Sequence, residues 1–188
     1  MSDQASLESI ADVVSQRSLP PVASWHPELT RDIDIRIARN GDWFHEGTKI
    51  DRARMVKLFS TILRVDDDAT CLVTPQERLR IVVEDAPFTA ILMEVQGEAD
   101  EQVLTFETNV GDRVIADAEH PVTVSYATPG GEPSPYVLVR DRLTALISRT
   151  VFYQLAELAE ERNGVLGVVS KGCFMPLSDQ AAVDSGAV

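Results

Sequence analysis

Residues 31–45 read Arg31-Asp-Ile-Asp-Ile-Arg-Ile-Ala-Arg-Asn-Gly-Asp-Trp-Phe-His45, and the fold turns on this stretch. Ile33, Ile35 and Ile37 alternate with Asp34 and Arg36, the period-two pattern of a half-buried strand. Asn40–Gly41 signals a tight hairpin turn, because both residues tolerate positive φ, and Trp43 and Phe44 fall on the returning strand. Gly47 allows a second sharp bend. Asp51 then reads as the N-cap of a helix through Leu63, with Met55, Phe59 and Ile62 on one face. The loop Asp66–Ala69 ends that helix, Cys71–Thr74 resumes an extended run, and Arg80–Glu84 pairs back against it. The expected unit is hairpin, helix, hairpin.

The same order recurs after residue 120. Val122 and Val124 alternate into Tyr126, Pro129–Gly130–Gly131 turns, and Tyr136–Val139 returns. A long helix is expected from about Asp141 to Arg162, with Leu143, Leu146, Ile147, Val151, Leu155 and Leu158 at helical spacing and Asn163–Gly164 as its stop. Val165–Ser170, a turn at Lys171–Gly172 and Cys173–Leu177 form a closing hairpin. Ala90–Val95, Val103–Thr108 and Arg113–Ala116 read as three further short strands. The chain is therefore read as α+β: two β-rich units related by duplication, each packing one main helix on its sheet, the C-terminal unit larger. The expected layout is a polar N-terminal tail over 1–28, the hairpin–helix–hairpin unit over 29–87, the C-terminal unit over 88–178 and a disordered tail over 179–188.

Composition narrows function by exclusion. The 188 residues carry a net charge of −13, with residues 65–134 at −12 and residues 30–64 at +3. Such an acidic centre repels duplex nucleic acid and an anionic membrane surface. The basic stretch, Arg31, Arg36, Arg39, Lys49, Arg52, Arg54, Lys57 and Arg64, suits either a small phosphorylated ligand or pairing with the acidic half. No apolar run approaches the ~20 residues that span a bilayer, and the N-terminus lacks the basic and apolar features of a secretory leader. Cys71 and Cys173 are accordingly read as thiols in a reducing cytoplasm. His26, His45 and His120 show no zinc spacing, and no nucleophile elbow or phosphate-cradling glycine loop occurs. Asp66-x-Asp68-x-Thr70 imitates a calcium loop, but Cys71 stands where the sharp turn needs glycine. No cofactor is identified.

Several blocks, kept in order over residues 25–177, resemble the bacterial family known as domain of unknown function 1285. They include Asn40-Gly-Asp-Trp-Phe-His45, Leu72-Val-Thr-Pro75, Val83-Glu-Asp-Ala-Pro-Phe88, Thr108-Asn-Val-Gly-Asp112, Pro135–Tyr136, Val139–Arg140, Phe152–Tyr153 and Ser170-Lys-Gly172. The resemblance implies a duplicated core whose C-terminal half is superficially similar to a pleckstrin-homology fold. It also implies a ligand site between the halves for a nucleotide-like molecule, and a role in signalling.

The residues themselves supply the candidates. In Thr108–Asp112 the glycine turns the backbone, and Asn109 and Asp112 can read a base edge or ribose hydroxyl, or else bond their own turn. Arg140 lies where a strand meets the expected helix and Arg149 about two turns further along it; both suit a phosphate or carboxylate, with an ion pair to the acidic segment as the rival role. Trp43 and Tyr136 can stack on a base, and each also fits a core position. The leading expectation is a non-enzymatic module binding a small anionic, nucleotide-like or phosphorylated ligand. A protein-interaction adaptor, using a groove or sheet edge of the C-terminal half to hold a protein partner, is the alternative. An unrecognised hydrolase is the third reading.

Overall fold

The computed structural model describes residues 19–67, 69–126 and 131–177. It divides into two compact units, one ending at Pro87 and the other beginning at Phe88.

In the N-terminal unit the alternating isoleucines form β1 (Leu29–Ile37), with Ile33, Ile35 and Ile37 buried and Arg36 on the opposite face. It turns into β2 (Trp43–His45) and β3 (Thr48–Lys49). The Asn40–Gly41 signal produces a wider loop than a two-residue turn, since Ile37 pairs with Trp43 and Asn40 Oδ1 accepts from the Asp42 N–H. The tight turn is Glu46–Gly47, whose φ angles of 48° and 74° carry His45 directly opposite Thr48. Helix α1 (Ala53–Thr61) follows, shorter than expected, and Phe59 packs its ring 6.2 Å from that of Trp43. Leu63–Asp66 leaves the helix as an unforeseen strand, β4, which pairs with β5 (Ala69–Val73), and β6 (Glu77–Val83) follows. The expected acidic loop is thus a hairpin tip; its Asp68 lies outside the described residues.

The six strands form one sheet in the order β3-β2-β1-β6-β5-β4, two three-stranded meanders joined by parallel pairing of β1 with β6. Part of the expected N-terminal tail is fixed to this sheet. Val22–Ser24 makes a 3-10 turn, and Arg64 of β4 donates to the carbonyls of Val22 (2.6 Å) and Trp25 (2.7 Å) while its other nitrogens grip Asp66. The first 18 residues of that tail lie outside the described residues. Most of the basic run is paired within the unit: Arg31 with Glu77, Arg36 with Glu84, Arg39 with Asp85, Lys49 with Asp42 and Arg64 with Asp66.

The C-terminal unit begins with a third meander, β7 (Phe88–Gln96), β8 (Val103–Thr108) and β9 (Arg113–Ile115), and a fourth, β10 (Val122–Tyr126), β11 (Pro133–Arg140) and β12 (Leu143–Ile147). Their order, β10-β11-β12-β7-β8-β9, again puts a parallel pair, β12 with β7, at the centre. Each unit therefore joins the first strand of one meander to the last strand of the next. The helix is what moves. In the first unit it links the two meanders; in the second, α2 (Arg149–Glu157) follows them and packs on β7 through the buried Val151 and Leu155.

The expected long helix from Asp141 to Arg162 is instead a strand, a nine-residue helix and a second strand. Leu143, Ala145 and Ile147 are buried in a strand with the intervening residues half-exposed. Positions 143, 147, 151 and 155 are four apart, a spacing that a period of two and a period near 3.6 both satisfy. The tight turn before β12, with Asp141 at φ 47°, gives residues 143–147 to the sheet. After the helix come β13 (Glu160–Arg162), β14 (Val165–Ser170) and β15 (Cys173–Pro176), a separate three-stranded sheet. Asn163–Gly164, expected to stop the helix, is the two-residue turn between β13 and β14, at φ 54° and 79°. Helix caps and hairpin turns both select residues that accept positive φ, so the dipeptide alone does not separate them. This last sheet docks through Ser170, whose Oγ accepts from the Leu104 N–H at 2.9 Å, and through Met175 Sδ, which accepts from the Val122 N–H at 3.3 Å. Residues 178–188, and with them the expected C-terminal tail over 179–188, lie outside the described residues.

Candidate functional site

Four of the six residues singled out from the sequence lie around one end of the second six-stranded sheet, though not on one face of it. The turn between β8 and β9 is built by Thr108. Its N–H donates to the Asp112 carbonyl (2.9 Å), its Oγ1 accepts from the Asp112 N–H (3.0 Å), and Gly111 supplies φ 82°. Asn109 continues the ladder. Its N–H donates to the Thr89 carbonyl (2.8 Å) and its Oδ1 accepts from the Thr89 N–H (3.0 Å), so this amide works as backbone would.

Asp112 turns its carboxylate to Arg140, with which it forms an ion pair. The Arg140 side chain retains 18% of its surface exposed, and its guanidinium lies over the fully buried Phe88 ring at 4.9 Å. The register of β11 against β12 shifts between Leu138 and Arg140, a bulge that aligns Arg140 with Leu143 and with the face bearing Ala145 and Phe88. Tyr136 precedes the bulge and sits opposite Leu146, which in turn faces Thr89. Tyr136 and Thr89 thus share the other face. Thr89 is 9% exposed, and its Oγ1 is buried with no hydrogen-bond partner among the described residues.

Arg149 is elsewhere. It opens α2 and pairs with Glu132, both side chains being mostly exposed. Glu132 precedes β11 and Arg140 ends it, so at about 3.3 Å per residue these positions are about 26 Å apart along the strand. The expectation that Arg140 and Arg149 grip one anion is not met, because the strand Leu143–Ile147 runs back along β11 and carries Arg149 to its far end. Trp43 belongs to the N-terminal unit. Its ring is 1% exposed against Phe59, so it offers no face for stacking a base. Its Nε1 and the Nε2 of His45 are both buried without a partner among the described residues.

Sequence pattern does not mark Phe88, Thr89 or His45 as site residues. The available signal for Thr89 was one polar residue within the apolar run Ala86–Met93, and nothing local tells that its hydroxyl is unpaired. Elsewhere, shifted titratable groups answer to partners within the fold or to burial. The Arg64 guanidinium holds the Asp66 carboxyl below the usual carboxylate range, Lys171 does the same for Asp117, and burial raises the Cys71 thiol. Among the described residues no cluster of three or more His, Cys, Asp or Glu side chains is placed to hold a metal ion, and no helix is long and apolar enough to cross a membrane.

Fold and site together define a two-unit α+β protein in which a six-stranded, parallel-centred sheet with one helix occurs twice. The chain belongs to the DUF1285 family: the N-terminal domain of unknown function of that family matches residues 20–86, and its C-terminal domain, from a protein of unknown function, matches residues 87–177. A DUF1285 family protein from Silicibacter pomeroyi DSS-3, known from its crystal structure, is 44% identical over 95% of this chain and 97% of its own, with a TM-score of 0.86. A second, from Shewanella baltica OS155, is 27% identical over 65% of this chain and 90% of its own, with a TM-score of 0.52. No curated protein matches the chain.

Proposed function

We propose that the protein is a non-enzymatic binding module of bacterial signalling or regulation, taking a small anionic ligand, nucleotide-like or phosphorylated, beside Arg140 of the C-terminal unit. The observation that supports this is the fixed attitude of the Arg140 guanidinium, laid over Phe88 and steered by Asp112 while still partly open to solvent. A guanidinium held in one plane loses little rotamer freedom on binding, and its fork matches the oxygens of phosphate or carboxylate. Asp112 balances the charge in the unliganded protein, so an incoming anion competes with it for the arginine. Tyr136 and Thr89, on the sheet's other face, lie outside this site.

A thermal-shift screen against nucleotides, cyclic nucleotides, sugar phosphates and simple carboxylates tests the reading. Binding at 100 times Kd adds about 2.7 kcal/mol of stability, a readily seen rise in midpoint. One responding class, with the response lost in Arg140→Ala and kept in Arg149→Ala, supports the assignment; no response, or equal losses in both variants, refutes it.

The adaptor reading is favoured by a different observation. Ile91, Leu92 and Val95 of β7 and Ile115 of the edge strand β9 are 40 to 56% exposed, a concentration of apolar surface on one meander. In that case a protein partner pairs with the β9 edge or covers Leu92, and Leu92→Glu abolishes its capture while Arg140→Ala does not.

A further inference from the structure

Two polar nitrogens on the first unit's β2 lack hydrogen-bond partners among the described residues: Trp43 Nε1 and His45 Nε2. They are two positions apart on one strand, which puts both side chains on the same face with Cα atoms about 7 Å apart. On its β1 side that face is apolar, while on β3 the exposed Thr48 stands opposite His45. In register across from them stand Ile37 and Ile35, both at 0% exposure, and the Phe59 ring closes over Trp43. Indole can only donate, and a buried donor without an acceptor costs free energy that a folded protein ordinarily avoids. The neighbouring cations are engaged elsewhere. Arg36 lies on the opposite face over Phe44 and pairs with Glu84, and Lys49 pairs with Asp42.

We propose that Trp43 Nε1 and His45 Nε2 form a buried site in the N-terminal unit for one oxygen, hydroxyl or carbonyl, of a small uncharged ligand. A hydroxyl accepts from the indole and serves either tautomer of the imidazole, and a carbonyl accepts from both rings. Charge is excluded by the wall of Ile35, Ile37 and Phe59 wherever the imidazole is neutral, because an anion buried there without a counter-ion pays a prohibitive desolvation penalty, so the titrations are run at alkaline pH. Trp43 is almost wholly buried and His45 as a residue half-buried. The site is independent of Arg140 and uses the edge of the tryptophan, not its face.

The test is nuclear magnetic resonance of the 15N-labelled full chain, whose two tryptophans are separated by assigning Trp25 with Trp25→Phe. Acetamide, glycerol and adenosine are titrated as uncharged probes, with acetate as the charged control. The expected result is a saturable movement of the Trp43 indole resonance with at least one uncharged probe and none with acetate. His45→Phe should then weaken that probe about tenfold, the loss of one neutral hydrogen bond. An indole resonance indifferent to all three probes, or responding equally to acetate, overturns the proposal. So does a crystal grown at saturating probe with one ordered water bridging the two nitrogens. Should His45→Phe fail to fold, the comparison of uncharged probes with acetate on the unaltered protein still decides.

Discussion

Replacing Arg64 by methionine removes the fastening between the N-terminal segment and its sheet. The guanidinium makes two hydrogen bonds to Asp66, each 2.6 Å, and two to the carbonyls of Val22 and Trp25, with its side chain 17% exposed. Charge-assisted bonds are worth about 1.5–3 kcal/mol each, so a naive sum over four reaches about 6–12 kcal/mol. The true loss is smaller because the partners are not all stranded. Asp66 keeps Arg78 at 3.0 Å, the Val22 carbonyl keeps the Trp25 N–H at 3.2 Å, and the methionine stem retains the apolar packing. That leaves about 3 kcal/mol, which for a domain of this size lowers the melting midpoint by about 6–12 °C. Denaturation of Arg64→Met followed by calorimetry measures the total, and amide exchange over residues 20–28 locates it. The reasoning is refuted by a loss under about 1 kcal/mol, or by unchanged exchange in that segment alongside a global drop.

The same network sets an acid limit. The Asp66 carboxyl is held low chiefly by its hydrogen bonds from Arg64, against the opposing effect of burial, with Arg78 adding to the depression. Its contribution is fully present above the unfolded carboxyl value of about 3.9 and is lost as pH falls through the depressed folded value; in Arg64→Met the acid transition should move to higher pH, read by a melting series across the acid range. Thr89→Val replaces the buried unpartnered hydroxyl by a methyl of the same shape, so the midpoint should hold or rise by the equivalent of up to about 1 kcal/mol, and a clear loss would mean that the hydroxyl is bonded. Gly167→Ala should cost about 1–3 kcal/mol in thermal unfolding, since a Cβ there would stand 2.6 Å from the Met175 carbonyl oxygen and 2.4 Å from Phe174 Cζ.

What the sequence determined by itself was local. Ile33, Ile35 and Ile37 declare a strand because the side-chain period of two is a property of the backbone, and Lys171–Gly172 turns where its composition says, at φ 51° and 71°. Strand–turn–strand order, two units and one helix in each were legible for the same reason. The tertiary structure decided whatever depends on partners far along the chain. Leu143–Ile147 fits either period and became a strand because β7 and β11 were there to pair with it. The parallel pairs of β1 with β6 and of β7 with β12 leave no mark in local pattern, since each joins residues dozens of positions apart. The site followed the same division. Arg140 and Asp112 were identifiable as polar residues near turns, but their pairing required the bulge in β11, and the strand between Arg140 and Arg149 sent the second arginine to the other end of the sheet. Whether a tryptophan presents its face or only its N–H is settled by what packs on it, and for Trp43 that is Phe59, brought back by a helix the pattern could place in sequence but not in space.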